Sequence, residues 1–74
     1  RAADRALEAN VYRIPRENVD SSALISVGYS RRLCALEIEF HDGSIYRYRG
    51  IPVTVYLELQ AAKSKAVYYN GRIR

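Results

Sequence analysis

Cysteine and histidine each occur once in this chain of 74 residues, as Cys34 and His41, and that scarcity removes several classes of protein. A single thiol forms no intramolecular disulfide, and a lone imidazole leaves no familiar zinc spacing, so neither a metal nor a cofactor is expected. Stability must come from packing, or from packing plus a second copy, and one core of this size rarely supplies more than about 3–5 kcal/mol. Two domains are excluded. An unpaired thiol suits a reducing cytoplasm better than a secreted scaffold. Long hydrophobic runs are missing as well: no stretch approaches the ~20 apolar residues of a membrane span. Residues 1–10 lack the apolar run of a signal peptide. The chain opens on Arg1 rather than methionine, and so reads as a trimmed or partial sequence. A cytoplasmic protein without a membrane partner is expected.

Acidic residues are scarce in the second half. Residues 1–42 carry six basic and seven acidic side chains. Residues 43–74 carry Arg47, Arg49, Lys63, Lys65, Arg72 and Arg74 against Glu58 alone, a balance of +5 within a net charge of +4. Such asymmetry is compatible with a polyanionic partner. It is equally the charge that many small proteins carry for solubility.

Hydrophobic periodicity sets the expected elements. Residues 1–10 are alanine-rich with Leu7, and their charges are spaced for a helix, although the apolar stripe is thin. Residues 11–20 contain Pro15 and read as an extended linker. A first strand over residues 23–29 alternates Ile25, Val27 and Tyr29 with Ser26 and Gly28. After a turn at Ser30, Arg31 and Arg32, a second strand over residues 33–40 places Cys34, Leu36, Ile38 and Phe40 on one face. Ala35, Glu37 and Glu39 fall on the other, the period of a half-buried antiparallel strand. A third strand over residues 44–49 sets Tyr46 and Tyr48 against Arg47 and Arg49. Pro52 fits the first position of a helix, in which Val55, Tyr56, Leu59 and Ala62 form the apolar face. Ser64 can cap a short second helix running from Lys65 to about Asn70, with Tyr69 and Ile73 one turn apart.

The pattern on both flanks selects the turn between the second and third strands. A two-residue loop at Asp42 and Gly43 would oppose Ile38 to Arg47 and turn arginines into the core, which is costly. A three-residue loop of His41, Asp42 and Gly43, with Gly43 left-handed in a bulge, opposes Ile38 to Tyr46, Leu36 to Tyr48 and Glu37 to Arg47. The expected fold is α+β: a three-stranded antiparallel meander packed against one main helix, with a short C-terminal helix or turn and a candidate N-terminal helix.

An ordered set of residues runs through this frame: Val19, Ser21 and Ser22, Ile25, Gly28 and Tyr29, then Leu36, Ile38 and Phe40. Gly43, Tyr46 and Tyr48, Pro52, Val55 and Tyr56, Leu59 and Ala62 follow, then Ser64 and Lys65, Tyr68 to Asn70, Ile73 and Arg74. With these residues the stretch 19–74 resembles the KTSC domain, a module noticed at the C-terminus of some lysyl-tRNA synthetases and found free-standing in bacteria and phages. Residues 1–18 fall outside the resemblance. Ala66 stands where the family usually has glycine, Tyr69 where it has phenylalanine, and Ser30 where aspartate often follows Gly-Tyr. The resemblance implies little about activity, and RNA binding is a suggestion drawn mainly from the family's association with a tRNA enzyme.

The remaining question is which residues carry chemistry. His41 and Asp42 lie in a tight turn beside Ser44, where turn chemistry explains them without catalysis. Cys34, on the apolar face, is expected buried and inert. Tyr46 and Tyr48 share the face that the helix must cover, and rings under a helix do not stack bases. The opposite face, with Ser26, Gly28, Glu37, Glu39, Arg47 and Arg49, is flat and unshielded unless residues 1–10 or another subunit cover it, its charges joined as cross-strand pairs. That leaves Lys63, Lys65, Tyr68, Tyr69, Asn70, Arg72 and Arg74: cations among tyrosines, the mixture that grips phosphates and stacks unpaired bases. The expected function is a non-catalytic module binding RNA or single-stranded nucleic acid through these residues, with no small-molecule substrate. The alternative is a protein-interaction or homodimerisation module using an open strand edge or the Glu/Arg face.

Overall fold

The computed structural model describes residues 3–5 and 13–74. Strands β3 (Leu24–Ser30), β4 (Ala35–Phe40) and β5 (Ile45–Arg49) form the expected antiparallel meander. Two short strands widen it. β1 (Ala3–Arg5) pairs along β5 and β2 (Glu17–Asn18) along β3, giving the order β1-β5-β4-β3-β2. The N-terminal helix is thus corrected at residues 3–5, which are strand; the rest of that expectation lies outside the described residues. Leu7 alone gives a helix little to bury, whereas the edge of β5 offers backbone donors and acceptors to pair.

The register of β4 on β5 is the one the three-residue loop requires, with Ile38 opposite Tyr46, Leu36 opposite Tyr48 and Glu37 opposite Arg47. Gly43 has φ +90°, and its N–H reaches the Phe40 carbonyl at 2.9 Å. A β-carbon is strained in that left-handed conformation, which is why glycine closes the turn.

Pro52 stands immediately before α1 (Val53–Ala61), which buries Val55 and Leu59 against the sheet. They join Leu24, Val27, Leu36, Ile38, Tyr48, Ile51 and Ile73 in one apolar core. Tyr56 stacks on Tyr29 with ring centroids 5.3 Å apart. Ser64 caps α2 (Lys65–Tyr68), its hydroxyl accepting the Val67 N–H at 3.3 Å. The chain then widens into a π-helical turn, Tyr69–Ile73, which carries Ile73 into the core.

The other face of the sheet is not open. The segment read as a linker crosses it as a strap, with Ile14 buried. A β-carbon on Gly28 would lie 2.1 Å from the Pro15 carbonyl oxygen, so only glycine lets the strap lie this close. Under the strap Glu37 is 3 % exposed and Arg47 8 %. One Glu37 oxygen accepts from Arg47 Nε at 3.1 Å and Nη2 at 3.0 Å; the other accepts from Arg16 Nη1. Arg16 Nε also donates to the Ser26 hydroxyl at 3.0 Å, which donates to Glu39 at 2.9 Å. The cover expected from residues 1–10 or another subunit is corrected here to residues 14–16: a strap that supplies its own guanidinium can cover a carboxylate without leaving it unpaired.

Cys34 is a second correction. It is exposed, with φ +52°, in the turn before β4 rather than on the strand's apolar face. Its N–H bonds back to the Arg31 carbonyl at 3.4 Å, so the turn takes up one more residue than alternation suggests.

Candidate nucleic-acid interface

The C-terminal piece is anchored from within. Ile73 is 1 % exposed, while Arg72 and Arg74 on either side of it are exposed. Tyr69 packs edge-on to Phe40 and Tyr48, at centroid distances of 5.2 and 6.0 Å. Its hydroxyl is hydrogen-bonded to that of Tyr48. Tyr69 is therefore half-buried, and its ring serves packing. The remaining residues of the group divide between structural and outward roles.

Lys65 closes the end of α1. Its ammonium donates to the carbonyls of Gln60 at 3.1 Å and Ala62 at 3.2 Å, groups that the helix leaves unsatisfied. Tyr68 donates its hydroxyl to Glu58 at 2.6 Å. Burial, then that bond and the Glu58 charge, push the Tyr68 phenol up, while Arg72 nearby pulls it down. Asn70 accepts from Arg74 at 3.3 Å through its side-chain oxygen. Lys63, Asn70, Arg72 and Arg74 are exposed. The structure thus brings all seven residues onto one short element and its approach, but it gives Lys65 and Tyr69 structural tasks.

The turn at His41 is held by local bonds. Ser44 donates its N–H at 2.9 Å and its hydroxyl at 2.6 Å to Asp42. The His41 ring lies 3.0 Å from the Ser21 carbonyl through Nε2, which must carry the proton to donate there. The serine is therefore hydrogen-bonded to Asp42, and the imidazole to backbone. No group of three or more His, Cys, Asp or Glu able to hold a metal occurs among the described residues. Nor is any helix among them long and apolar enough to cross a membrane.

What sequence reasoning missed is the Arg16–Glu37–Arg47 clamp. Glu37 opposite Arg47 and a glycine within β3 were both visible, but nothing in residues 11–20 marked them as the cover.

A narrow antiparallel sheet carrying one main helix, with a capped C-terminal turn sunk into the same core, defines a small α+β domain. The KTSC domain matches residues 20–74, and the chain belongs to that family. A crystal structure of a KTSC domain protein from Yersinia pestis superposes with a TM-score of 0.81 at 32 % identity, covering 84 % of this chain and 87 % of that one. An uncharacterized protein of Stutzerimonas stutzeri (strain A1501) is 38 % identical over 55 residues, covering 74 % of this chain and 78 % of its own length. Lysine–tRNA ligases of Nostoc punctiforme and Nostoc sp. (strain PCC 7120) are 31 % and 34 % identical over 71 residues, 96 % of this chain. The chain spans 13 % of the length of each ligase. A match of 71 residues extends beyond residues 20–74, so the similarity to the ligases takes in the strap.

Proposed function

We propose that this domain is a non-catalytic cytoplasmic binding module that holds RNA or another single-stranded nucleic acid through its C-terminal cations. Lys63, Arg72 and Arg74 make the phosphate contacts in this reading, with Tyr68 and Asn70 beside them; Lys65 and Tyr69 act by holding the element in shape. The observation that carries it is the anchoring of Ile73 between two exposed arginines, which presents both guanidiniums from a fixed backbone. Arginine's planar fork suits phosphate oxygens. Similarity to two lysine–tRNA ligases, proteins named for acting on a tRNA, supports the same ligand class.

Titration with tRNA and with a mixed-sequence single strand at two salt concentrations tests this. Log affinity should fall with log salt by ~0.7 for each phosphate contact. Replacing Lys63, Arg72 and Arg74 together by glutamine should flatten that slope and leave the fold intact. Binding weaker than ~100 μM to both ligands at low salt sinks the proposal, because non-specific binders reach 10⁻⁴–10⁻⁶ M even at physiological salt.

A second reading, protein interaction or homodimerisation, is favoured by Val67 and Leu57, large apolar side chains 71 % and 51 % exposed on α2 and α1. Association through them would survive moderate salt and bury apolar surface. Sedimentation with and without salt separates the two readings.

A further inference from the structure

The row of aromatic rings beside the C-terminal turn ends at the surface. Tyr48 packs edge-on to Tyr69, Tyr69 to Phe40, and Phe40 to Tyr46, the last two with centroids 6.2 Å apart at an interplanar angle of 71°. Tyr48, at one end of the row, is 7 % exposed. Tyr46, at the other, is only half-buried, and so is Phe40. Alternation places Tyr46 and Tyr48 together under the helix, but the core takes in Tyr48 and leaves Tyr46 at its margin. An edge-on contact engages at most one face of a ring, and Phe40 is the ring that Tyr46 meets among the described residues. One face of Tyr46 is therefore not stacked on another ring.

A cation stands at the same margin. The Arg74 N–H donates to the Tyr69 carbonyl at 2.9 Å, and the Arg74 guanidinium to the Asn70 side chain at 3.3 Å. Burial and the Tyr69 hydroxyl push the Tyr48 phenol up, Tyr46 adds to that and Arg74 pulls it down, so all three side chains lie near one hydroxyl. Asn70 and Arg74 are exposed. β5 is paired on both sides, to β4 and to β1, and the Tyr46 ring is thus carried by a fixed backbone.

We propose that Tyr46 stacks one unpaired base of the strand whose phosphates the C-terminal cations hold, with Phe40 bracing the tyrosine from its edge and Arg74 taking the adjoining phosphate. This deepens the function proposed above and rests on it. Phosphate contacts hold a backbone whatever its bases do, whereas a stacked base confines the ligand to strands whose bases are free. Every base has a flat π-face, so one ring selects single strands over duplex without reading sequence. A duplex keeps its bases stacked on one another and leaves Tyr46 unused. The earlier site residues supply charge and hold the turn; Tyr46 adds the contact that is not electrostatic.

The test titrates the protein with a mixed-sequence single strand and with a strand of equal length built from abasic sugar-phosphate units, each at two salt concentrations. The mixed strand should bind more tightly, by the roughly 5- to 150-fold that one stacked base supplies. Tyr46→Ile, whose β-branched side chain suits a strand, should remove that advantage, leave the salt slope unchanged, and bind the abasic strand like the wild type. Tyr46→Phe should keep the advantage. If Tyr46→Ile fails to fold, the ring resonances of Tyr46 in the wild type decide: they should move upfield with the mixed strand and stay in place with the abasic one. Equal affinity of the wild type for the two strands overturns the stacking proposal, and so does a base preference that survives in Tyr46→Ile or leaves the Tyr46 ring resonances unmoved. The C-terminal reading stands in each of those cases as long as both strands bind with a steep salt slope. Binding of neither strand overturns both.

Discussion

Beneath α1, the sheet is covered by Val55, Leu59 and Ile73 closing over Leu36, Ile38 and Tyr48, side chains that need only shape and volume. On the opposite face Glu37, Arg47 and Ser26 are buried to a similar degree, but each needs a named partner. The first kind of burial tolerates substitution by size, and its contributions grow with area removed from water. The second gives little net stability when intact and a large penalty when one member is removed. Equal burial therefore means different fragility on the two sides of one sheet.

Glu37→Ala should break that comparison most sharply. It removes the carboxylate that Arg47 and Arg16 share beneath the strap, at a cost of about 3–5 kcal/mol, enough to unfold a domain this small. Thermal melting reads the loss, and the double variant Glu37→Leu with Arg47→Met should recover most of it. No recovery would mean that the two charges contribute to stability through more than each other. Leu59→Ala on the helix face should cost about 2–5 kcal/mol through lost burial and a cavity. An unchanged melting temperature there would sink the packing of α1. Gly28→Ala drives a β-carbon against the Pro15 carbonyl and should cost about 1–3 kcal/mol. Its signature is faster hydrogen exchange in residues 13–18 while the helix face stays protected.

The smallest effect concerns the tyrosines. Burial, reinforced by the Tyr69 hydroxyl, pushes the Tyr48 phenol well above its ordinary value of 10.0. A phenol raised on folding contributes stability that is complete below the unfolded value and is lost as pH rises through the folded one. Denaturant midpoints should therefore hold up to about pH 10 and decline above it, less steeply in Tyr48→Phe. A midpoint that does not move above pH 10 removes Tyr48 from the account.

The helix face was legible because its rules are local. Alternation in residues 36–40 and 45–49, with the cost of burying Arg47 among apolar groups, selected a three-residue turn and with it the register. Pro52 and Ser64 marked the starts of both helices by backbone and hydroxyl chemistry. The strap face was not legible, because residues 13–18 are mostly exposed and polar, and no periodicity shows that Ile14 and Arg16 fold back on Gly28 and Glu37. Cys34 was misplaced for a related reason: alternation continues through it in the sequence, while the left-handed turn delays the start of β4 from residue 33 to Ala35. Of the candidate site, the residue types and their element were readable. That Lys65 caps α1 and Tyr69 packs inward depended on how the C-terminal turn docks, which its own sequence does not encode.

The clamp also has an order of assembly. Glu37 and Arg47 are ten positions apart across a tight hairpin, whereas Arg16 reaches Glu37 from 21 positions away. Short loops close early and at smaller entropic cost, so the hairpin brings its own arginine to the carboxylate before the strap arrives. The strap then docks on an ion pair already formed, and no folding intermediate has to hide a bare carboxylate. The reverse holds in the folded protein. When the strap lifts in a local opening, water meets Glu37 still bonded to Arg47, and reclosing requires only that Arg16 find an acceptor that never left its place.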